Sequence, residues 1–555
     1  MHRSRFRARA RSGAGARSPS RARSRGGVAV GAACLIVLGC LAAAPGLVGL
    51  GGLGGPPVPS GVRGPLVVGS DPRIPRIRWG ACPEQPVPDG MRCGKLAVPL
   101  DHDHPGKGSI DIALARIPAT APHGRRLGSL VLNFGGPGGP GIETLAADPK
   151  PYAELGERYD LVAFDPRGVG HSAPVSCGGS LEPDPGTSTG PGTATGKATA
   201  DAAAQLAALR ALVKRCERAS GPVLPYIGTV NVSRDMELMR RALGDDRLNY
   251  LGFSYGTRLG AVYAAQYPHR VGRMVLDGVD TLTESLTEQA LVSARGQQQA
   301  LDNFLTWCTH RKEGCVYGTN TRTAKKETAA LVAHLDAHPL VDADGARFTG
   351  EHAVTAISAA LYSKELWPDL AQALADVERK GDPRGMLRLS TPDGPEPADP
   401  GPPGLVPADN GEAALAAVNC ADDPDRDYDK ADPAAIEKKI EGLREEFRRA
   451  SEIFGPRQLM TVLSCYGRPA GTDFIRRIDR PGAPRMLLVG TRGDPATPYQ
   501  WTEETAERLG SAVVLDYKGD GHTGYTASRC VRGYVTRFLV DGRLPSGTRS
   551  CPDGE

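Results

Sequence analysis

Ser254 stands between two glycines in Gly252-Phe-Ser-Tyr-Gly256, where the apolar run Leu248-Asn-Tyr-Leu251 gives way to the helix-forming run Thr257-Arg-Leu-Gly-Ala-Val-Tyr-Ala-Ala265. A serine hydroxyl attacks carbonyl carbon only when it is presented to substrate and given a base. Gly252 and Gly256 lack the Cβ atoms that would clash in a sharp strand-to-helix turn, so the spacing suits a nucleophile elbow. The pattern alone carries little weight in a chain of 70 glycines, and a second copy occurs at Gly186-Thr-Ser-Thr-Gly190. That copy has no strand-like run before it and no helix starter after it, so Ser188 is read as a loop residue.

Along a chain that builds an elbow and a triad, the order is serine, acid, histidine. Six histidines follow Ser254. His269 lies down the same helix and on the wrong side. His310, His334, His338 and His352 fall in a mainly helical stretch, where packing or surface roles are the default. His522 alone follows a late strand-like run, in Lys518-Gly-Asp-Gly-His-Thr-Gly-Tyr525, whose glycines let a loop bend the imidazole back over a sheet edge. For the acid, Asp494 ends the buried-type run Leu487-Leu-Val-Gly-Thr-Arg-Gly-Asp494, just before a helix start at Pro498. The carboxyl ends of strands are where ligand chemistry gathers in open α/β sheets. Asp494 would fix the His522 tautomer and stabilise the imidazolium. Asp516 and Asp520 are rivals, read as a strand-end and a loop acid because neither has a separate strand to approach from.

Charge developing on a substrate oxygen needs donors. One is expected from the Tyr255 N–H, the other from Asn133-Phe-Gly-Gly-Pro-Gly-Gly-Pro-Gly141. Pro137 and Pro140 have no N–H, which leaves Gly135 or Gly136. The competing reading, a phosphate-cradling loop, lacks the lysine and Ser/Thr of that motif. This chemistry calls for no cofactor and no metal.

Short apolar runs at 129–134, 159–164, 273–277, 485–489 and 512–515 read as strands buried on both faces, and 109–116 alternates as a half-buried strand. Helical patterns lie between them, among them 232–243 with Ser233 as a candidate cap. The fold class is therefore α/β, with a mostly parallel central sheet and an inserted, mainly helical cap domain. The expected boundaries are 1–44 for a signal peptide or membrane anchor, 45–75 for a flexible Gly/Pro-rich lead-in and 76–280 for the first part of the core. The cap follows at 281–480 and the rest of the core at 481–555. Residues 178–199 are of low complexity, and 393–409 is a proline-dense interruption of the cap.

The net charge of +4 hides an asymmetry: residues 1–27 hold nine arginines and no acid, so the remainder is net acidic and offers nucleic acid no basic face. Residues 28–50 carry no charge. A basic segment before an apolar one is the layout of an export signal. Val37-Leu-Gly-Cys40 loosely resembles a lipoprotein cleavage site, and the apolar length also permits retention as an anchor. Ten cysteines follow the signal, with no C-x-x-C. Neither a zinc nor a dithiol redox site has its usual spacing. Taken in order, they fall into five sequence-local pairs, as in disulfides of an oxidising compartment.

At these residues the chain resembles the proline iminopeptidase and tripeptidyl aminopeptidase group of secreted actinobacterial α/β-hydrolases. Gly135-Gly-Pro-Gly138 is similar to that family's oxyanion loop, and Asp165-Pro-Arg-Gly-Val-Gly-His-Ser172 to its D-x-R-G-x-G-x-S turn. Gly252-Phe-Ser-Tyr-Gly256 with Leu276-Asp-Gly278, Gly493-Asp-Pro-Ala-Thr-Pro498, and Gly521-His522 resemble its elbow, acid and base segments. Phe134 stands where proline iminopeptidases carry histidine, which favours the tripeptidyl branch. Cys465-Tyr-Gly-Arg-Pro469 departs from the Trp-Pro usual after that cysteine. The resemblance implies hydrolysis of short peptides from free N-termini outside the cytoplasm. It also implies a buried acid for the substrate ammonium, because an unpaired buried charge is costly. Asn419-Cys-Ala-Asp-Asp423 resembles the family's Cys-x-Asp segment, so Asp422, then Asp423, are the candidates, with Glu284 and Glu288 weaker. A secreted carboxylesterase or lipase using the same triad is the alternative, and a non-catalytic binding protein on the same scaffold is a third reading, disfavoured by the intact triad.

Overall fold

The computed structural model describes residues 76–554, except 84–85, 123–124, 180–197, 283, 342–346, 391–405, 425–431, 469–470, 472–477, 480–481 and 547–548. The expected signal and lead-in, the Ser188 copy of the serine motif and most of the proline-dense stretch lie outside the described residues.

The strands in chain order are β1 (Arg92–Pro99), β2 (Ser109–Ile117), β3 (Ser129–Asn133), β4 (Asp160–Phe164), β5 (Leu248–Phe253) and β6 (Val271–Asp277). A two-residue pair follows, β7 (Leu340–Val341) with β8 (Arg347–Phe348), then β9 (Met486–Gly493), β10 (Ala512–Asp520) and β11 (Ser550–Cys551). All but β7 and β8 form one sheet, in the order β1-β2-β4-β3-β5-β6-β9-β10-β11. β1, β2 and β4 pair antiparallel in turn; from β4 to β11 every pairing is parallel. The continuous apolar runs explain the parallel part: β3 and β4 are buried at every position, as strands covered on both faces must be. One face packs Met236 and Met239 of the helix Thr229–Leu243 and Leu259 and Val262 of the helix Tyr255–Gln266. The other packs Leu145, Leu155, Val535 and Phe538 from the helices at 141–147, 153–156 and 529–541.

Between β6 and β9 the chain is mainly helical. Leu301 and Phe304 of the helix Leu286–Thr309, Ile357 of Gly350–Leu361 and Trp367 and Leu374 of Trp367–Lys380 build a second core. The α/β class with an inserted helical cap therefore holds. The ten cysteines among the described residues pair as the sequence order suggested: Cys82–Cys93, Cys177–Cys216, Cys308–Cys315, Cys420–Cys465 and Cys530–Cys551. Among the described residues no helix is long and apolar enough to cross a membrane.

One helix start differs from expectation. The helix at 232–243 begins earlier, at Thr229, with Gly228 as its N-cap, and Ser233 is buried inside it. Its first N–H is satisfied instead by Asp422, which the local sequence does not contain (Thr229 N to Asp422 Oδ1, 2.9 Å).

Candidate active site

The sheet places its chemistry at a topological switch. After β3 the chain moves to one side to form β4, then crosses to the other to form β5, so a crevice opens at the carboxyl ends of β3 and β5. The Gly135–Gly141 loop leaves β3 there and Ser254 leaves β5. The two approach closely because glycine permits it. A Cβ at Gly256 would lie 2.6 Å from Asn133 Oδ1, and one at Gly135 would lie 2.9 Å from Ser254 Cβ.

Ser254 is half-buried and holds φ 54°, ψ −127°, a conformation that L-residues rarely adopt. Over-determination by its neighbours keeps it there. Its N–H donates to the Asp277 carbonyl at 3.0 Å, and its carbonyl accepts the N–H of Thr257 at 2.8 Å. The residue after Asp277, Gly278, sits against the imidazole, since a Cβ there would lie 3.4 Å from His522 Cε1. Elbow and histidine thus converge on the same two residues at the end of β6.

His522 Nδ1 faces the Asp494 carboxylate, at 2.9 Å from Oδ1 and 3.0 Å from Oδ2. Asp494 is held by the N–H groups of Ala496 (2.9 Å) and Thr497 (2.8 Å) on Oδ1, and by the Thr497 hydroxyl (3.0 Å) on Oδ2. Burial alone would push the imidazole below its usual pKa. The adjoining Asp494 carboxylate outweighs burial and raises it. With Nδ1 committed to Asp494, Nε2 is the nitrogen free to exchange a proton. The rival acids are engaged elsewhere: Asp516 with the Arg492 guanidinium at 2.9 and 3.1 Å, Asp520 with Asn303 at 2.8 Å and Lys364 at 3.0 Å.

Of the expected oxyanion donors, Tyr255 is the first residue of its helix, so its N–H has no intrahelical acceptor. A Cβ at Gly135 would lie 3.3 Å from that nitrogen. The Gly135 N–H itself donates to Asn133 Oδ1 at 3.1 Å, whereas the Gly136 N–H has no acceptor among the described residues. No grouping of His, Cys, Asp and Glu that would hold a metal occurs among the described residues.

The site's geometry can be set beside known proteins. Residues 129–377 match the family described as alpha/beta hydrolase fold, and residues 451–551 the family described as TAP-like protein. The chain is 32% identical over 509 residues to the serine protease Hip1 of Mycobacterium tuberculosis, covering 86% of this chain and 91% of that one. It is a TAP-like α/β-hydrolase. Other relatives are the tripeptidyl aminopeptidase of Streptomyces lividans (28% over 508 residues; 88% and 89% covered) and carboxylesterase B of Mycobacterium tuberculosis (32% over 490 residues; 86% and 90%).

In this TAP-like hydrolase the two candidate amine-binding acids are buried and carry structural work. Asp422 takes the N–H and hydroxyl of Thr229 and lies 3.8 Å from Arg258 Nη1. Burial nevertheless raises its pKa, with Arg258 opposing. Asp423 takes the Leu286 N–H at 3.1 Å, so the neighbouring acids cap two different helices. Asp280 shares Arg258 with Asp422 (Arg258 Nη2 to Asp280 Oδ2, 3.1 Å). Glu284 pairs with Arg508, and Glu288 closes a capping box with Ser285.

Sequence reading missed Asp277 and Asp280 as site residues. For Asp277 the signal was present: an acid that directly ends the apolar strand Met274-Val-Leu-Asp277 one strand over from the elbow.

Proposed function

We propose that this protein is an exported serine exopeptidase that releases short peptides, tripeptides above all, from free N-termini through an acyl-enzyme. The observation that carries the triad is the convergence at the end of β6: Ser254 bonded through its N–H to Asp277, and His522, held by Asp494, lying against Gly278. In the proposed reaction, Ser254 Oγ attacks the scissile carbonyl as its proton passes to His522 Nε2. The N–H groups of Tyr255 and Gly136, with Gly135 beside them, receive the oxyanion. The tetrahedral adduct collapses, the C–N bond breaks, and the imidazolium protonates the leaving amine. Water, deprotonated by the same imidazole, then frees the acyl group from Ser254.

The peptidase reading is supported by two relatives named serine protease and tripeptidyl aminopeptidase. Selection for a free amine has a physical basis in the buried set beside the nucleophile helix. Asp280 and Asp422 place two buried carboxyls on one guanidinium, Arg258, close to Tyr255, so a substrate ammonium would supply the second positive partner. Peptides are the substrates in this reading, and the net acidic sequence after residue 27 argues against nucleic acid as a partner. Export is supported by five disulfides, with an N-terminal membrane attachment as its variant form.

A relative named carboxylesterase B supplies the competing reading, an esterase on the same triad. The deciding assay compares a tripeptidyl fluorogenic amide bearing a free amine, its N-acetyl form, and a short acyl ester. The proposal expects cleavage of the free-amine amide with strong discrimination against the acetylated one, and its loss in Ser254→Ala. Equal cleavage of both amides, or of the ester alone, would overturn the aminopeptidase assignment.

A further inference from the structure

The loop that carries His522 is gripped from two sides, and one grip comes from the cap. Its inner side is held by the core through Asp277, which accepts the N–H groups of Gly524 and Tyr525. On the outer side, the cap helix Gly350–Leu361 ends at Tyr362, whose carbonyl accepts the His522 N–H at 2.8 Å. Carbonyls at a helix C-terminus lack intrahelical donors and must find partners elsewhere. This one finds the backbone of the histidine. The approach depends on the preceding glycine: Gly521 has φ +97°, and a Cβ there would come within 2.9 Å of the Tyr362 carbonyl oxygen. The Tyr362 ring meets the imidazole edge-on, with centroids 5.1 Å apart and planes at 75°. Two residues on, Lys364 reaches Asp520 of the same loop at 3.0 Å, and Asn303 of another cap helix donates to Asp520 at 2.8 Å.

We propose that Tyr362 is a cap-borne positioning residue for His522, its carbonyl fixing the histidine backbone and its ring fixing the imidazole plane and keeping water off the His522–Asp494 pair. The negative end of the helix Gly350–Leu361 lies on the same side and favours the imidazolium that forms when Ser254 gives up its proton. The cap therefore completes the base as well as covering the substrate. Lys364 and Asn303 act on the same loop through Asp520. This proposal rests on the triad reading above.

The test uses diisopropyl fluorophosphate, a small phosphorylating reagent that needs His522 to activate Ser254 and has no peptide to engage the cap. Rates of Ser254 labelling, kcat and KM on the peptide amide, and melting temperature are measured for Tyr362→Phe, Tyr362→Ala and Lys364→Met. Tyr362→Ala is expected to slow labelling by about tenfold or more and to lower kcat in proportion, with KM unchanged. Tyr362→Phe keeps the ring that Tyr362→Ala removes, while both keep the backbone carbonyl, so Tyr362→Phe labels within about twofold of wild type and the pair isolates the ring's share of the positioning. Should Tyr362→Ala not fold, Lys364→Met, a partly exposed substitution, carries the test with a smaller slowing in the same direction. Wild-type labelling rates in both Tyr362→Ala and Lys364→Met, or slowing that merely tracks lost melting temperature across the variants, would overturn the positioning role. Failure of the triad reading looks different: wild-type protein that is not labelled at Ser254, or labelling that survives His522→Ala.

Discussion

The Asp277 carboxylate accepts the Tyr525 N–H at 2.7 Å, while the Asp277 carbonyl accepts the Ser254 N–H at 3.0 Å. One residue at the end of β6 therefore ties the turn that presents the serine to the loop that presents the histidine. Its position follows from sheet order, because β6 lies between β5, which ends at the elbow, and β9, which leads to Asp494. Asp277 is fully buried, and burial pushes its carboxyl up to about 6 although the two N–H groups it accepts, from Gly524 and Tyr525, pull it down.

Replacing Asp277 by Asn tests this tie. The amide keeps the shape but presents NH2 toward one of two backbone donors, so the base loop loosens and kcat/KM falls by about 10- to 100-fold. Stability carries a second signature. With a folded pKa raised from 3.8 to about 6, the group's stabilising contribution is complete below pH 3.8 and is lost as pH rises through about 6. That loss amounts to about 3 kcal/mol. It is absent in the Asn variant, so wild type loses about 2 kcal/mol relative to the variant between about pH 4.5 and about pH 7.5, and its melting temperature falls relative to the variant's over that range. Calorimetry at the two pH values measures it, and a constant gap would contradict the raised pKa.

The parallel strands were legible because burial on both faces leaves unbroken apolar runs such as Ser129-Leu-Val-Leu-Asn133. β1 was not, because Arg92-Cys-Gly-Lys-Leu-Ala-Val-Pro99 is an edge strand whose first half is exposed and half-buried. Ser254, Asp494 and His522 could be ordered from their positions after apolar runs. Asp422 was picked out by resemblance, while its hydrogen bond to Thr229 spans 193 residues and leaves no local trace. The same holds for Tyr362, which reaches His522 through a backbone carbonyl that every residue possesses.

The pH dependence of turnover should report the His522–Asp494 pair. Acylation needs a neutral imidazole, and burial, which lowers the His522 pKa, is outweighed by the Asp494 carboxylate. The acid limb of kcat/KM therefore falls above the ordinary histidine value of 6.5, with activity rising through it. Asp494→Asn removes the opposing charge, so the limb moves to lower pH while the rate drops by about 10³- to 10⁴-fold. A pH–rate profile on both proteins checks the direction, and an unmoved limb would separate Asp494 from His522.

Gly135 offers a test of the loop against the elbow. Its φ of +88° is strained for any L-residue, and a Cβ would lie 2.6 Å from the Phe253 carbonyl oxygen and 2.9 Å from Ser254 Cβ. Gly135→Ala must therefore push the glycine loop away from the Tyr255 N–H. A drop in kcat of about 10²-fold or more, with KM little changed, is expected from steady-state kinetics. Wild-type kcat would mean that the loop contributes no donor.

The Cys420–Cys465 disulfide separates stability from chemistry within the cap. Both sulfurs are buried, and the bond closes a 45-residue separation between the helix Asn410–Asp422 and the turn after the helix Gly455–Thr461. Loop closure of that length is worth about 4 kcal/mol in the chain-entropy account. The same helix is fastened independently at its other end, where Asn410 donates to the carbonyls of Gly168 and Val175 and accepts the Gly170 N–H. Its first turn also abuts the glycine loop, since a Cβ at Gly138 would lie 2.6 Å from the Gly411 carbonyl oxygen. Removing the disulfide by Cys420→Ala with Cys465→Ala should therefore lower the urea midpoint substantially while leaving kcat at 25 °C within about threefold. A collapse of kcat in protein that remains folded would mean that the bond, and not the Asn410 fastening, sets the helix against the active site.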